Sequence, residues 1–419
     1  MSNVLAYTPS ILITAAFGLL FYLILRKRQD HRQNWALFYC LIYSFSSMQL
    51  ANLLCERLGF WSFESSSREF FKIPPETFFI WLIFWSIVPL LKMRLVLSII
   101  FFLVLLWLDV LSMKFFQEIL QFKLYENWIL GDVLFILLVF TPGYLWAYAF
   151  YQNSMLRYRA FMQVFTMILL FYFSIPILLY EMHLIRTLHF NLSISQYQLL
   201  FIFAFPGLVA VQNLVTIGKG TPFPYDKTEV LVETGIYAYC KNPIQWSFGL
   251  LFIPLSIIHE SYYLLLGTCI SIIYAYSVSN FQEYQDMEKR FGKGWLKYKS
   301  HVPKWYFLFK PQHIPSGVIY FDFDCAMCSQ LKNWFLRRSA INLEIENANY
   351  FERKLKQVTY VDYLGNEFQS VQALSHALNH INLIYACLGW FINLPILRHV
   401  LQIIVDSMSM ESSKCEPTT

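Results

Sequence analysis

The chain has 419 residues, of which 57% are hydrophobic, 19% aromatic and only 14% charged. Soluble domains run near a quarter charged, so a wholly soluble fold is excluded. The net charge of +5 is modest, and the basic residues sit in short loops between apolar runs, which points to membrane topology and away from nucleic acid.

A crossing helix needs about 20 apolar residues. The sequence predicts nine such runs, near 8–26, 35–54, 73–91, 93–113, 128–151, 160–180, 196–217, 244–259 and 261–281. The first, near Pro9 to Leu25, has no basic flank and no small-residue cleavage site, so it reads as a retained span rather than a secretory signal. Pro74, Pro75 and Pro89 mark the third, and Thr141-Pro142-Gly143 the fifth. The last two read as a helical hairpin turning at His259, Glu260 and Ser261. Alternate loops carry eleven basic residues (Arg26, Lys27, Arg28, Arg32, Lys92, Arg94, Arg157, Arg159, Lys219, Lys227, Lys241) against six (Arg57, Arg68, Lys72, Lys114, Lys123, Arg186). With nine crossings, this bias puts the N-terminus outside and everything after residue 282 in the cytosol of a cell inner or plasma membrane.

Residues 282–312 are polar and amphipathic, and from Ser316 the pattern changes. Gly317 to Phe321 reads as a strand, and Leu331, Trp334 and Phe335 keep helical spacing. Ile341, Leu343 and Ile345 alternate as a strand does. Val358 to Val361 and Glu367-Phe368 flank a turn at Leu364-Gly365-Asn366. Ser370 is a candidate cap for a helix through Leu374 to Leu378. The expected fold is therefore a polytopic all-α membrane domain followed by a small α/β domain. Residues 383–405 are apolar enough for a tenth span. Pro395, Arg398 and His399 favour an amphipathic helix on the domain or on the membrane surface instead.

Two segments carry chemistry. Six of the eight cysteines are scattered, and only Cys325 and Cys328 form a spaced pair, in Asp322-Phe-Asp-Cys325-Ala-Met-Cys328. The pair falls where a strand hands over to a helix, whose N-terminal N–H groups favour a thiolate. One turn separates the sulfurs, close enough to resolve a mixed disulfide. Asp322 and Asp324 raise the thiol pKa and are candidates for proton transfer. The alternative of half a zinc site lacks a second Cys or His pair, so no metal is expected. The Asp-x-x-Cys-x-x-Cys motif, the paired Arg337-Arg338 and the closing Leu388 to Arg398 resemble the DCC family of thiol-disulfide oxidoreductases over about 316–408. The resemblance implies a thioredoxin-like fold, a redox-active dithiol and a thiol redox partner, with Cys325, Cys328 and Asp322 as the catalytic residues. Phe323 stands where that family usually has glycine.

The second segment runs from Gly218-Lys-Gly-Thr-Pro-Phe-Pro-Tyr-Asp226 through Leu231 to Asn242-Pro243. It resumes at Glu283, Phe291-Gly292, Trp295, Tyr298, Val302-Pro303 and Trp305. This order resembles the isoprenylcysteine carboxyl methyltransferase and phospholipid methyltransferase superfamily over about 205–308. The resemblance implies methyl transfer from S-adenosylmethionine to a prenyl or lipid-like acceptor at the membrane face. It makes Tyr237, Lys241, Asn242, Pro243, Gln245 and Glu283 the cofactor-binding residues. Lys241 would pair the cofactor carboxylate and Asn242 would hydrogen-bond it. Glu283 would accept from its ammonium or ribose, and Tyr237 and Tyr239 would stack on adenine. Asn242 replaces a common histidine, Gln245 a common tyrosine, and Glu283-Tyr284 a Glu-Glu pair. Lys241, Tyr237 and Trp246 also suit plain interfacial anchoring.

Nearer the N-terminus, Phe60-Trp-Ser-Phe63 with Ile73-Pro-Pro-Glu76 resembles lycopene-cyclase-like carotenoid proteins. Glu76, Asp109 and Asp132 are ionisable residues in or beside spans. The expected domains are 1–195, a helical region; 196–312, methyltransferase-like with the hairpin; 313–408, thiol-redox; and 409–419, a polar tail. Three functions stand side by side: a membrane methyltransferase on a lipophilic acceptor with an attached redox domain, a membrane-anchored oxidoreductase, or a non-enzymatic scaffold. The bilayer is the expected environment and no nucleic-acid partner is expected.

Overall fold

The computed structural model describes residues 31–63, 73–86, 95–117, 122–223, 226–277, 284–355 and 357–412. They fall into two compact units. The first takes Met1–Ser193, Thr221–Lys227 and Ile253–Leu266, and the second takes Ile194–Gly220, Thr228–Phe252 and Gly267–Thr419.

In the first unit, helix α1 (His31–Arg57) buries a face that includes Gln33, Ser44, Ser46, Ser47, Gln49 and Asn52 and exposes Phe38, Leu50 and Leu54. A polar residue is tolerated inside an apolar bundle where it finds partners. Asn52 Oδ1 accepts from Trp61 Nε1 at 3.0 Å. Trp61 opens strand β1 (Trp61–Phe63), which pairs antiparallel with β2 (Phe122–Leu124). Helices α2 (Pro75–Ser86) and α3 (Leu95–Phe116) lie between those strands in the chain. Helix α4 (Trp128–Tyr151) meets Trp61 at Gly131, where a Cβ would stand 2.1 Å from the indole ring. A π-helical turn at Ile136–Phe140 precedes Pro142. Proline cannot donate to the carbonyl four residues back. That carbonyl, Leu138 O, accepts the Tyr43 hydroxyl instead, at 2.6 Å. Helix α5 (Leu156–Glu181) repeats the device, with a π turn at Leu169–Ser174 ahead of Pro176. An apolar cavity of about 330 Å³ opens between these helices, lined by Tyr43, Leu138, Pro142, Tyr158, Phe161 and Phe165 among others.

The second unit begins with α6 (Ile194–Thr216), which carries Pro206 inside it. Helix α7 (Pro243–Ile258) presses on α6 where Gly207 leaves room for Ser247, whose hydroxyl donates to Phe203 O. Helix α8 (Tyr262–Ser277) follows a turn at Glu260, which has φ +50°. Helix α9 (Tyr284–His301) is broken at Gly292, φ +51°. The sheet that follows has the order β4 (Leu343–Asn347), β3 (Gly317–Phe321), β5 (Thr359–Val361), β6 (Glu367–Gln369). Strands β3 and β4 are parallel, joined through α10 (Ala326–Leu336), while β5 is antiparallel to both β3 and β6. The β5–β6 turn lies where expected, with Asp362 Oδ1 accepting from Leu364 N and Asn366 N and Gly365 at φ +81°. Helices α11 (Val371–Leu378), α12 (Leu383–Ile392) and α13 (Pro395–Ser412) close the chain. Ser370 precedes α11 as expected, but at φ +51° its hydroxyl makes no capping bond.

The expectation of nine spans is not met. Four helices described along their whole length are long and apolar enough to cross a membrane, α1, α4, α5 and α6, or five if the bent pair α12–α13 counts as one. Over their described residues, the predicted runs 244–259 and 261–281 are helices of fewer than 18 residues. At 1.5 Å per residue such helices reach about 24 Å, short of a hydrocarbon core of about 30 Å. The predicted 73–91 run includes α2, of 12 residues, and α3 lies over 93–113. The predicted run 8–26 lies outside the described residues. An orientation counted through nine crossings therefore loses its footing.

Candidate functional site

The motif segment of the second unit is built by glycines that nothing else could replace. Gly218 O accepts from Glu229 N at 2.7 Å, and a Cβ there would meet Leu214 O and Thr228 within 2.8 Å. Gly235 has φ +62°, and a Cβ would stand 2.0 Å from Asn213 Nδ2. These constraints start a short 3-10 turn, Gly235–Ala238, leading into α7.

From there the backbone is held against the end of α9 and the stretch after it. Tyr298 donates its hydroxyl to Tyr237 O at 2.8 Å. Lys241 N donates to Pro303 O at 2.9 Å, and Lys241 Nζ to Lys299 O at 2.7 Å. Cys240 Sγ donates to Lys304 O at 3.2 Å, and Leu308 N returns to Tyr239 O at 3.0 Å. Trp295, Tyr298 and Val302, read from the sequence as motif positions, form a small core with Leu231, Met287 and Phe291. Burial and the neighbouring Lys304 and Lys299 ammonium groups lower the Lys241 pKa to about 8. Burial pushes the Cys240 thiol up to about 12. Asn242 is buried at the N-cap of α7 but makes no side-chain capping bond, Pro243 is the first helical residue, and Gln245 is half-buried in the first turn. The structure thus brings Tyr237, Lys241, Asn242, Pro243 and Gln245 together. Glu283 lies outside the described residues.

Both tyrosines that the resemblance assigns to adenine stacking are buried. Tyr239 is 0% exposed; its ring packs edge-on to Trp390 and its hydroxyl donates to Asn379 O at 2.9 Å. Asn379 in turn accepts from Trp390 Nε1 and donates to Ser375 O at 3.0 Å. Tyr237 is also buried, in the same core as Val209, Ile314, Ala386 and Trp390. Nothing in the sequence paired Tyr239 with a residue 140 positions on.

In the first unit, Asp226 makes a contact the sequence reading missed. Arg159, counted there as a loop charge, is 3% exposed and donates to Asp226 Oδ1 at 2.7 Å. Thr221 donates to Asp226 Oδ2 at 3.1 Å, and Gln163 Nε2 donates to Thr221 Oγ1 at 2.8 Å. Burial pushes the Asp226 carboxyl up, while the Arg159 guanidinium and the Thr221 hydroxyl pull it down. The one legible signal was an arginine at the very start of an apolar run.

At the dithiol, Cys325 occupies the N-cap of α10 and Cys328 lies one turn inside. Both are free and half-buried. Burial, then a hydrogen bond to the Cys325 thiol, raises the Cys328 thiol to about 11. Asp322 Oδ1 accepts from Asp324 N at 3.0 Å, and Lys332 Nζ sits 3.8 Å over the Phe323 ring. Among the described residues no cluster of His, Cys, Asp or Glu has the makings of a metal site.

Fold and site together define an integral membrane protein in which one motif segment is fixed between the amphipathic helix α9 and the helices α11 and α12. Residues 200–294 match the phospholipid methyltransferase family. The matched stretch covers Tyr237 to Gln245 and Glu283 and stops before the dithiol. No curated protein and no solved structure matches the chain.

Proposed function

We propose that this protein is an S-adenosylmethionine-dependent methyltransferase of the membrane, acting on a lipophilic, prenyl or lipid-like acceptor. The observation that carries this reading is the family match over 200–294, coinciding with a segment whose backbone is locked beside the Lys241 ammonium. S-adenosylmethionine supplies an electrophilic methyl group, so the protein has to align the nucleophile and keep the site dry. The Lys241 ammonium has three donors and the structure engages one on Lys299 O,. The remaining donors suit the cofactor carboxylate, with Asn242 and Gln245 in the adjoining helical turn as neutral hydrogen-bond partners. Tyr239 is a support for this segment rather than an adenine contact. The basic group Lys241, Lys299 and Lys304 favours a cytosolic setting for this face.

Saturable S-adenosylmethionine binding by the protein in lipid nanodiscs tests the reading by calorimetry. Lys241→Ala, Asn242→Ala and Glu283→Ala should each weaken binding by tenfold or more. Absence of saturable binding, or indifference to Glu283→Ala, removes it.

A second reading rests on a separate observation. A β-α-β unit joined to an antiparallel pair, with Cys325 at the N-cap position of the first helix, resembles the arrangement of thioredoxin-like oxidoreductases. In it the 313–408 region carries thiol-disulfide exchange with a protein or small-thiol partner. Mass labelling across defined redox potentials tests this. A pair that never closes to a disulfide ends the reading, and a pair that closes at a cytosolic potential supports it.

A further inference from the structure

The last two helices of the second unit are amphipathic in the wrong direction for a water-facing element. Along α13 the exposed residues include Ile396, Val400, Ile403 and Ile404, at i, i+4, i+7 and i+8 on one face, with Ile396 82% and Ile403 69% exposed. The polar residues Arg398, Gln402 and Asp406 are half-buried on the other side. There Asp406 Oδ1 accepts from Gln402 Nε2 at 2.8 Å and from Gln357 Nε2, ahead of β5, at 2.9 Å. Helix α12 repeats the inversion. Ile384, Leu388 and Phe391, again at i, i+4 and i+7, point outward, while Ala386, Gly389 and Trp390 are buried. Water disfavours an apolar stripe of this length, and monomeric soluble proteins rarely keep one exposed.

What covers the stripe is indicated by its neighbour. Helix α6 is one of the four helices long and apolar enough to cross the membrane. Its own outward residues, among them Ile194, Tyr197, Phe201 and Ile202, are exposed. The end of α12 docks on that helix. Phe391 packs edge-on to Phe205, with ring centroids 6.3 Å apart, and Gln212 Nε2 donates to Asn393 O at 3.0 Å. The apolar face of α12 is therefore continuous with the lipid-facing surface of α6. The chain bends by 82° between α12 and α13. The two arms, of 10 and 18 residues, reach about 15 and 27 Å, each short of a hydrocarbon core of about 30 Å,.

We propose that α12 and α13 form a re-entrant wedge, seated in the acyl region of one leaflet, that fixes the α/β sheet to the membrane surface. The occupant of the exposed stripe is lipid. The wedge enters and leaves on one side, because Asp406 turns toward the sheet, where Gln357 donates to it, and Arg398 lies on the same half-buried face of α13. This inference does not depend on methyl transfer or on thiol exchange.

The test uses the full chain in lipid nanodiscs, with cysteine introduced singly at Ile396, Ile403, Ser407 or Tyr350. The reagent is a membrane-impermeant maleimide, with modification read peptide by peptide so that native cysteines do not interfere. Tyr350 is 80% exposed on the sheet domain and serves as the aqueous reference. Positions 396 and 403 should react at least tenfold more slowly than 350. In sealed vesicles, positions 350 and 407 should react from the same side. Fast labelling at 396 and 403 overturns the proposal, as does labelling of 350 and 407 from opposite sides, which would mean a crossing span. Disulfide cross-linking between copies through 396 or 403 also overturns it, because the occupant would then be a second chain.

Discussion

Lys241 is the residue on which the proposed chemistry turns, and its environment makes a specific pH prediction. Burial and two neighbouring lysines lower its pKa from 10.5 to about 8. Its positive charge is fully present only below that value. Binding of an anionic group that depends on it should weaken as pH rises through about 8, two units earlier than at an ordinary lysine. Lys241→Arg should hold binding to higher pH, because guanidinium stays charged. Calorimetric titration with S-adenosylmethionine from pH 6.5 to 9.5 measures both. At the other buried charge, Arg159→Ala removes the guanidinium bonded to Asp226, and breaking such a pair costs about 3–5 kcal/mol,. Thermal unfolding in detergent should show a large drop in Tm. The double change Arg159→Met with Asp226→Leu should be milder, since it strands no charge.

At the scale of elements, the motif segment depends on glycine geometry more than on its tyrosines. Gly235→Ala forces a Cβ onto Asn213 at a φ of +62°. The 3-10 turn and the start of α7 must shift, and cofactor affinity should fall by tenfold or more with the membrane helices intact by circular dichroism. Tyr239→Phe removes only the hydroxyl bond to Asn379 and should cost about 1 kcal/mol,. At the dithiol, the raised Cys328 thiol predicts an order of reaction. Iodoacetamide at pH 8 should alkylate Cys325 before Cys328, because the thiolate is the reacting form. Equal rates would contradict that assignment.

For the whole molecule, the α/β sheet domain has an acid limit. His380 is 1% exposed, with Nδ1 at Ile341 O and Nε2 at the Tyr360 hydroxyl, and burial lowers its pKa to about 4. An unfolded histidine titrates near 6.5, so between those values the unfolded chain takes up the proton and the folded one does not. Stability from this group is complete above about 6.5 and is lost as pH falls toward 4, by about 3 kcal/mol. Hydrogen exchange at pH 7 and pH 4.5 should show the sheet opening first at the lower pH, and His380→Asn should reduce that dependence without abolishing it, because burial lowers His376 to about 4 as well.

Much of this was legible along the chain because it depends on local composition and spacing. The apolar runs, the hairpin turn after Ile258, the β5–β6 turn at Gly365 and the strand-to-helix position of Cys325 each follow from a few consecutive residues. So did the likeness of the 205–308 region to membrane methyltransferases, which a family match over 200–294 supports. Span number was not legible, because an apolar run of 16 residues reads the same whether it crosses a bilayer or ends halfway; among the described residues the helix lengths showed which runs are long enough. Arg159 with Asp226, Tyr239 with Asn379, and the direction in which the expected amphipathic helix α13 turns its apolar face were decided by tertiary structure. Each depends on which distant surface a side chain meets, and burial turns a loop charge into an ion pair and a candidate ligand into a support.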